Sequence, residues 1–246
     1  MRYTIAMENF ILPILVIFFA ALIRSTFGFG DALIAMPLLA LLINVKTATP
    51  VVAVMGFMLA AGILLKDWKS IRFTSTWRLI AGSLIGIPFG VWYIHFVPEN
   101  TTKIILGIIL ILTGILNLFK PKSLPEVPLR SAYGFGFIAG ILGSAYNTNG
   151  PPILLYGLMR KWEPESFRAT MQSYFLPTNL LIILGHFGSG LWTPLVWQLF
   201  LAVLPAILLA YFLGSYLARK FSPEQFSYAV YWLVMGMGLI MILTSI

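Results

Sequence analysis

Apolar residues run along this chain in blocks and not in alternation. Ten blocks stand out, at residues 9–24, 32–43, 48–65, 76–95, 102–119, 131–146, 151–159, 165–187, 194–219 and 224–245. Most are too long for strands, and together they predict helices; a full bilayer span takes about 20 residues. The second and seventh blocks are too short to span, and the first and sixth are marginal. Two polar, glycine-containing interruptions account for the shortfall. Ser25-Thr26-Phe27-Gly28-Phe29-Gly30-Asp31 separates the first block from the second. Ser144-Ala145-Tyr146-Asn147-Thr148-Asn149-Gly150-Pro151-Pro152 separates the sixth from the seventh.

A broken helix leaves backbone N–H and C=O groups unpaired, which is tolerated at membrane depth only where protein or a water-filled cavity surrounds the break. Breaks at corresponding places in two halves point to a transporter binding site. The first two blocks, and the sixth and seventh, are therefore expected to form hairpins or re-entrant pairs. Loop charge supports chain reversal at each break. With reversal, Arg24, Lys66, Lys69, Arg72, Arg78, Lys120, Lys122, Arg130, Arg160, Lys161, Arg168, Arg219 and Lys220 share one side, and only Arg2, Lys46 and Lys103 take the other. Without reversal the same residues split almost evenly, so the positive-inside rule favours reversal and places both termini outside. The proline-rich stretch 121–130 then becomes a cytoplasmic linker between a repeat at 1–120 and a repeat at 131–246. Five segments per half is an odd number, so the halves enter from opposite faces as an inverted repeat. Pro98-Glu99 recurs as Pro223-Glu224, and Thr47-Ala48-Thr49 matches Arg168-Ala169-Thr170 in position.

Composition sharpens this picture. The chain is 59% hydrophobic and 10% charged, against about 25% charged in ordinary soluble domains, which makes it an all-α polytopic membrane protein. The run Phe10–Ile23 reads as the first membrane helix and not as a cleaved signal peptide. The net charge of +8 sits in short loops, so it reports topology and not nucleic-acid binding. Cysteine is absent, which excludes disulfides and thiolate chemistry. His95 and His186 stand alone at segment ends, without metal-ligand spacing, and read as interfacial or packing residues. No metal, cofactor or catalytic set is expected, and the chain is not read as an enzyme.

The candidate chemistry lies at the breaks. A half-helix start offers free N–H groups and a positive dipole end, which suit an anion. In the second break, Asn149 is placed to cap, Gly150 to admit close approach and Pro151 to open the next helix, while Asn147 and Thr148 add neutral donors. The alternative is a capped re-entrant loop that binds nothing. The first break supplies Ser25, Thr26, Gly28, Phe29 and Gly30 as facing candidates. Asp31 is the one acid well inside an apolar region; it reads either as the cap of a helix starting at Ala32 or as a proton carrier. Arg24 is expected to snorkel to the cytoplasmic surface, with gating of anions as the alternative. Arg168 is expected to orient the eighth segment against head groups or a neighbouring loop, with attraction of the anion as the alternative. Gln172 and Asn179, seven apart on that segment, share a face and either line a cavity or bond between helices. Trp68, Trp77, Trp92, Trp162, Trp192 and Trp197 fall near segment ends, as in an interfacial belt. Gly82, Gly86 and Gly90 recur every four residues, a spacing for tight helix packing.

With Gly28-Phe29-Gly30 followed by Met36-Pro37-Leu38-Leu39, Gly140-Ile141-Leu142-Gly143 followed by Asn149-Gly150-Pro151-Pro152, and Phe167-Arg168-Ala169-Thr170, the chain resembles the sulfite exporter TauE/SafE (TSUP) family of membrane permeases. The resemblance spans nearly the whole chain and implies an inner-membrane carrier of sulfite, thiosulfate or an organosulfonate. Asp31 stands where that family often continues with small residues. The expected function is secondary transport of a small sulfur-containing anion, with its site between the two breaks, driven by a proton or by the anion gradient. An uncoupled anion channel is the alternative, since the same half-helix ends could line a pore.

Overall fold

The computed structural model describes residues 10–67, 71, 73–119, 124–218 and 223–246. Trp68, Lys69, Arg72, Lys120, Lys122, Arg219, Lys220 and Arg2 lie outside the described residues, as does part of the linker. Ten helices and no strands occur among the described residues: α1 (Ile11–Phe27), α2 (Asp31–Leu42), α3 (Val45–Asp67), α4 (Phe73–Phe96), α5 (Glu99–Phe119), α6 (Ser131–Tyr146), α7 (Gly150–Met159), α8 (Pro164–Gly188), α9 (Pro194–Leu217) and α10 (Pro223–Leu243). Each coincides with one apolar block to within a few residues. Among the described residues, four stretches are long and apolar enough to cross a membrane: Val45–Leu65, Phe73–Phe96, Glu99–Leu116 and Pro194–Leu217. At 1.5 Å per residue, α2 and α7 are about 18 and 15 Å long, roughly half the hydrocarbon thickness.

The two breaks have related backbone geometry. Gly28 ends α1 in the left-handed region at φ 91°, and Asn147 ends α6 there at φ 55°. Glycine and asparagine are the residues that adopt this conformation most readily, which is why the helices stop at these positions. Phe27, Asp31 and Val45 bound the first half's helices; their counterparts Tyr146, Gly150 and Pro164 each lie 119 residues further on.

The closest packing joins the halves. The principal helix pairs are α4 with α6, α5 with α10, α1 with α9 and α3 with α8. Exchanging α1–α5 for α6–α10 turns α1·α9 into α6·α4 and leaves the other two pairs unchanged. Small residues build these seams, as the spacing of Gly82, Gly86 and Gly90 predicted. A Cβ at Gly86 would collide with the Phe137 carbonyl, and one at Gly90 with Ser144 Oγ. Ser83 Oγ donates to the Gly136 carbonyl at 2.7 Å, and Ser144 Oγ to the Ile87 carbonyl at 2.9 Å. Without a hydrophobic drive between helices in lipid, such close approach and interhelical bonds supply the association.

One sequence expectation changes here, for Trp162, and one narrows, for His186. Trp162 is not an interfacial belt residue: it is buried at the α7–α8 turn between Tyr156 and Phe167, because Gly157 leaves room against its ring. His186 is a packing residue, fully buried, with Nε2 2.8 Å from the Ser144 carbonyl.

Candidate anion site between the two helix breaks

Both breaks border one cavity. The first contributes Arg24, Phe29, Gly30 and Asp31, with Ala32 and Leu33 from the start of α2. The second contributes Asn147, Thr148, Asn149, Gly150 and Pro151, with Leu154 of α7. Phe175 of α8, Thr113 of α5 and Tyr231 of α10 complete the wall. The space open to the centre of a water molecule is about 30 Å³. A single water needs roughly 10–15 Å³ on this measure, so the cavity admits a solute of only a few non-hydrogen atoms.

Arg24 departs most from expectation. It does not snorkel to the surface; it is only 4% exposed, as is Asp31. Its Nη1 donates to both Asp31 carboxylate oxygens, at 3.1 and 2.9 Å. Its Nη2 donates to Gln172 Oε1 at 3.0 Å, and its guanidinium carbon lies 4.9 Å from the centre of the Phe175 ring. In a straight helix these two positions, seven residues apart, would be separated by about 10.5 Å of rise. The left-handed residues Gly28 and Gly30 bend the chain and bring them together. Burial also has an electrostatic reason: a lone charge at this depth is costly, and the pair neutralises itself.

Asp31 is not a cap either. The helix begins at Asp31 itself, with Gly30 at the capping position and no side-chain cap bond. Its carboxylate is committed to Arg24, although a negative charge in a first helical turn is also favoured by the dipole.

The second break is neutral and largely self-satisfied. Asn147 Nδ2 donates to the Thr49 carbonyl at 2.7 Å, leaving its Oδ1 buried without a hydrogen-bond partner among the described residues. The open group of Asn147 is thus an acceptor, not the donor expected from sequence. Thr148 Oγ1 donates to the Leu142 carbonyl at 3.4 Å. Asn149 occupies the capping position of α7 without a cap bond, and its Nδ2 donates instead to Asn179 Oδ1 at 3.4 Å. Pro151 and Pro152 carry no N–H, so two of the donors normally free at a helix start are missing. The start of α2 has no proline in its first four residues and keeps them all.

Several candidates lie behind the wall. Ser25 and Thr26 do not line the cavity: both pack against α9, where Thr26 Oγ1 lies 3.4 Å from the Gly214 carbonyl and Gly214 leaves space for Ser25. Gly28 also stays off the wall, covered by the aliphatic part of Arg168. Gln172 and Asn179 do share a face, but the side chain between them, Phe175, is the one that reaches the cavity. Gln172 holds Arg24 from behind while its Nε2 donates to the Gly28 carbonyl. Arg168 reaches the last turn of α1, with Nη2 3.4 Å from the Ser25 carbonyl. Each break is therefore held by the third helix of the other half: α8 holds the first through Arg168 and Gln172, and α3 holds the second through Thr49.

Sequence reasoning missed Phe175, Thr113, Tyr231 and Gly56. Phe175 was within reach, three residues from Gln172 and four from Asn179 on one helical face. Gly56 lets α3 approach: a Cβ there would sit 2.8 Å from Asn179 Nδ2 and 3.5 Å from Arg24 Nη1. Thr113 and Tyr231 carried no local signal beyond being polar in apolar helices.

No curated protein and no solved structure matches the chain. The family profile described as sulfite exporter TauE/SafE matches residues 13–241, so two broken-helix pairs around a buried arginine are set in a scaffold whose sequence is matched almost end to end. The chain belongs to the sulfite exporter TauE/SafE family of membrane transporters.

Proposed function

We propose that this protein is a secondary carrier that exports a small sulfur oxyanion of about the size of sulfite across the inner membrane, exposing one site alternately to its two sides. The observation that carries this reading is the cavity shared by both breaks with a buried guanidinium in its wall. Arginine donors in fixed fork geometry suit an oxyanion, and the start of α2 adds backbone N–H groups. The small volume argues for sulfite or thiosulfate over larger organosulfonates. The family description supplies the sulfur chemistry.

An inverted repeat of residues 1–120 and 131–246 fits the constant 119-residue offset of the break helices and the interchange of helix pairs. In this reading the breaks are re-entrant, the 121–130 linker is cytoplasmic and both termini are outside. Alternating exposure would then follow from exchanging the conformations of the two halves.

The test is flux of labelled sulfite and thiosulfate in liposomes containing the purified protein. A carrier gives saturable flux and counterflow, and outward-directed gradients load the external medium. Absence of flux for both anions would remove the reading, and rapid non-saturating flux would replace it with a channel.

A further inference from the structure

We propose that Arg24 is the anion-binding cation of the carrier and Asp31 its exchangeable counter-ion, so that each anion binds together with one proton. This rests on the carrier reading and deepens it by assigning the coupling of the same site.

Arg24 is held from two sides that do not need the solute. Gln172 accepts from Nη2, and Phe175 lies beside the guanidinium. The remaining contact, Nη1 to Asp31, is made by a carboxylate that borders the same cavity. Nε has no hydrogen-bond partner among the described residues. The guanidinium thus already holds an oxyanion, and it is one supplied by the protein.

A second anion entering beside an ionised Asp31 would put at least two negative charges, and three for thiosulfate, against one positive charge in a poorly screened space. Protonation removes this conflict. The carboxylate takes a proton from solvent and becomes neutral, Nη1 is released, and the solute oxygens take its place. An Arg24–Asp31 pair carries no net charge. A guanidinium, a bound dianion such as thiosulfate and a neutral Asp31 carboxyl together carry one negative charge, against two with Asp31 ionised. The new O–H needs an acceptor, and Asn147 Oδ1, buried and unpaired, borders the same cavity.

The surrounding ionisable groups are few. From α8, Arg168 lies beside Gly28 with Nη2 near the Ser25 carbonyl; its charge attracts the anion. From α10, Tyr231 borders the cavity. The neighbouring wall residues of α5 and α7, Thr113, Pro151 and Leu154, do not ionise, and α3 presents Gly56 towards Arg24. Proton linkage in this region therefore falls on Asp31. A purely structural pair, fastening α1 to α2, would bind no proton with the anion.

Thiosulfate is the suitable probe, because its charge is constant from mildly acidic to mildly alkaline pH. Titration calorimetry of the purified full chain in buffers of differing ionisation enthalpy counts protons taken up on binding. About one proton per thiosulfate is expected, with affinity falling about tenfold per pH unit on the alkaline limb. Asp31→Asn should bind at least as tightly as the wild type at acidic pH and lose both the proton uptake and the pH slope. Arg24→Gln should lose binding. Wild-type binding without proton uptake and with flat pH dependence overturns the exchange and leaves the carrier reading intact, as does Asp31→Asn with an unchanged slope. No binding of either thiosulfate or sulfite by the wild type at any pH sinks the carrier reading with it. Should either variant fail to fold, the wild-type proton count decides alone.

Discussion

The break after α1 and the break after α6 occupy equivalent places and end their helices with the same left-handed turn, yet they are chemically opposite. The first holds a buried cation and anion in contact. The second holds only amides, a hydroxyl, glycine and prolines, with most donors already bonded to neighbouring carbonyls. From sequence, the second break was read as one side of an anion site because its residues have the grammar of a helix start. Its prolines remove the very N–H groups that make a helix start attractive to anions. The first break, with its intact α2 donors and Arg24, is the electropositive side of the cavity once Asp31 is neutral. Two breaks can thus share a backbone geometry while differing in chemistry, one holding a buried charge pair and the other only neutral groups.

Replacing Arg24 with Gln should have the largest effect. It leaves the Asp31 carboxylate buried alone, a change worth about 3–5 kcal/mol of stability in comparable pairs, and thiosulfate flux in liposomes should fall by about two orders of magnitude or more. If Asn149→Ala does equal damage, the division between the breaks is wrong.

The seams that brace the breaks should differ next. At Gly86 a methyl group meets the Phe137 carbonyl of α6, and backbone cannot move aside. At Gly214 it meets Ser25 Cβ at 2.6 Å and the Leu22 carbonyl at 2.8 Å, which leaves more room to adjust. Gly86→Ala should therefore lower the melting temperature more than Gly214→Ala, within the roughly 1–3 kcal/mol usual for overpacking. Equal shifts would mean that the α4–α6 and α1–α9 seams are equally tight.

Gly28→Ala isolates the turn itself. A left-handed alanine costs about 1–2 kcal/mol, and its methyl would press the Arg168 side chain at 3.2 Å. Asn147→Gly keeps the turn and removes the side-chain bond to the Thr49 carbonyl, so a loss of about 1 kcal/mol is expected from thermal unfolding. Asn149→Ala should have the smallest effect. It removes a 3.4 Å bond to Asn179, and less than about a fivefold change in thiosulfate affinity is expected for one weak neutral hydrogen bond.

Much of the fold was legible because lipid imposes length and composition on each segment. The runs that became α3, α4, α5 and α9 could be little else, and Gly82, Gly86 and Gly90 declared a packing seam by their spacing. The breaks were legible because glycine, asparagine and proline have few alternatives inside an apolar run. The partners of charged side chains were not legible. Arg24 lay near a segment end, where snorkelling is the ordinary solution, and Asp31 lay at a helix start, where capping is. Each inference was locally sound, but Arg24 does not snorkel and Asp31 does not cap, because each charge found the other. Trp162 failed for the same reason: a position near a segment end does not say whether the ring points to lipid or into a turn.

The sequence by itself determined where this protein is helical, where its helices must stop and that two such stops recur at a fixed interval. These are local properties, set by hydrophobic run length, by left-handed turns and by the missing N–H of proline. Only the tertiary structure decided that the two stops share a cavity, that Arg24 is buried against Asp31 and Gln172, and that Phe175 of α8 closes the wall. Those contacts depend on two left-handed turns bringing distant side chains within hydrogen-bond reach, and in a medium of low dielectric that reach decides whether a charge can be buried at all.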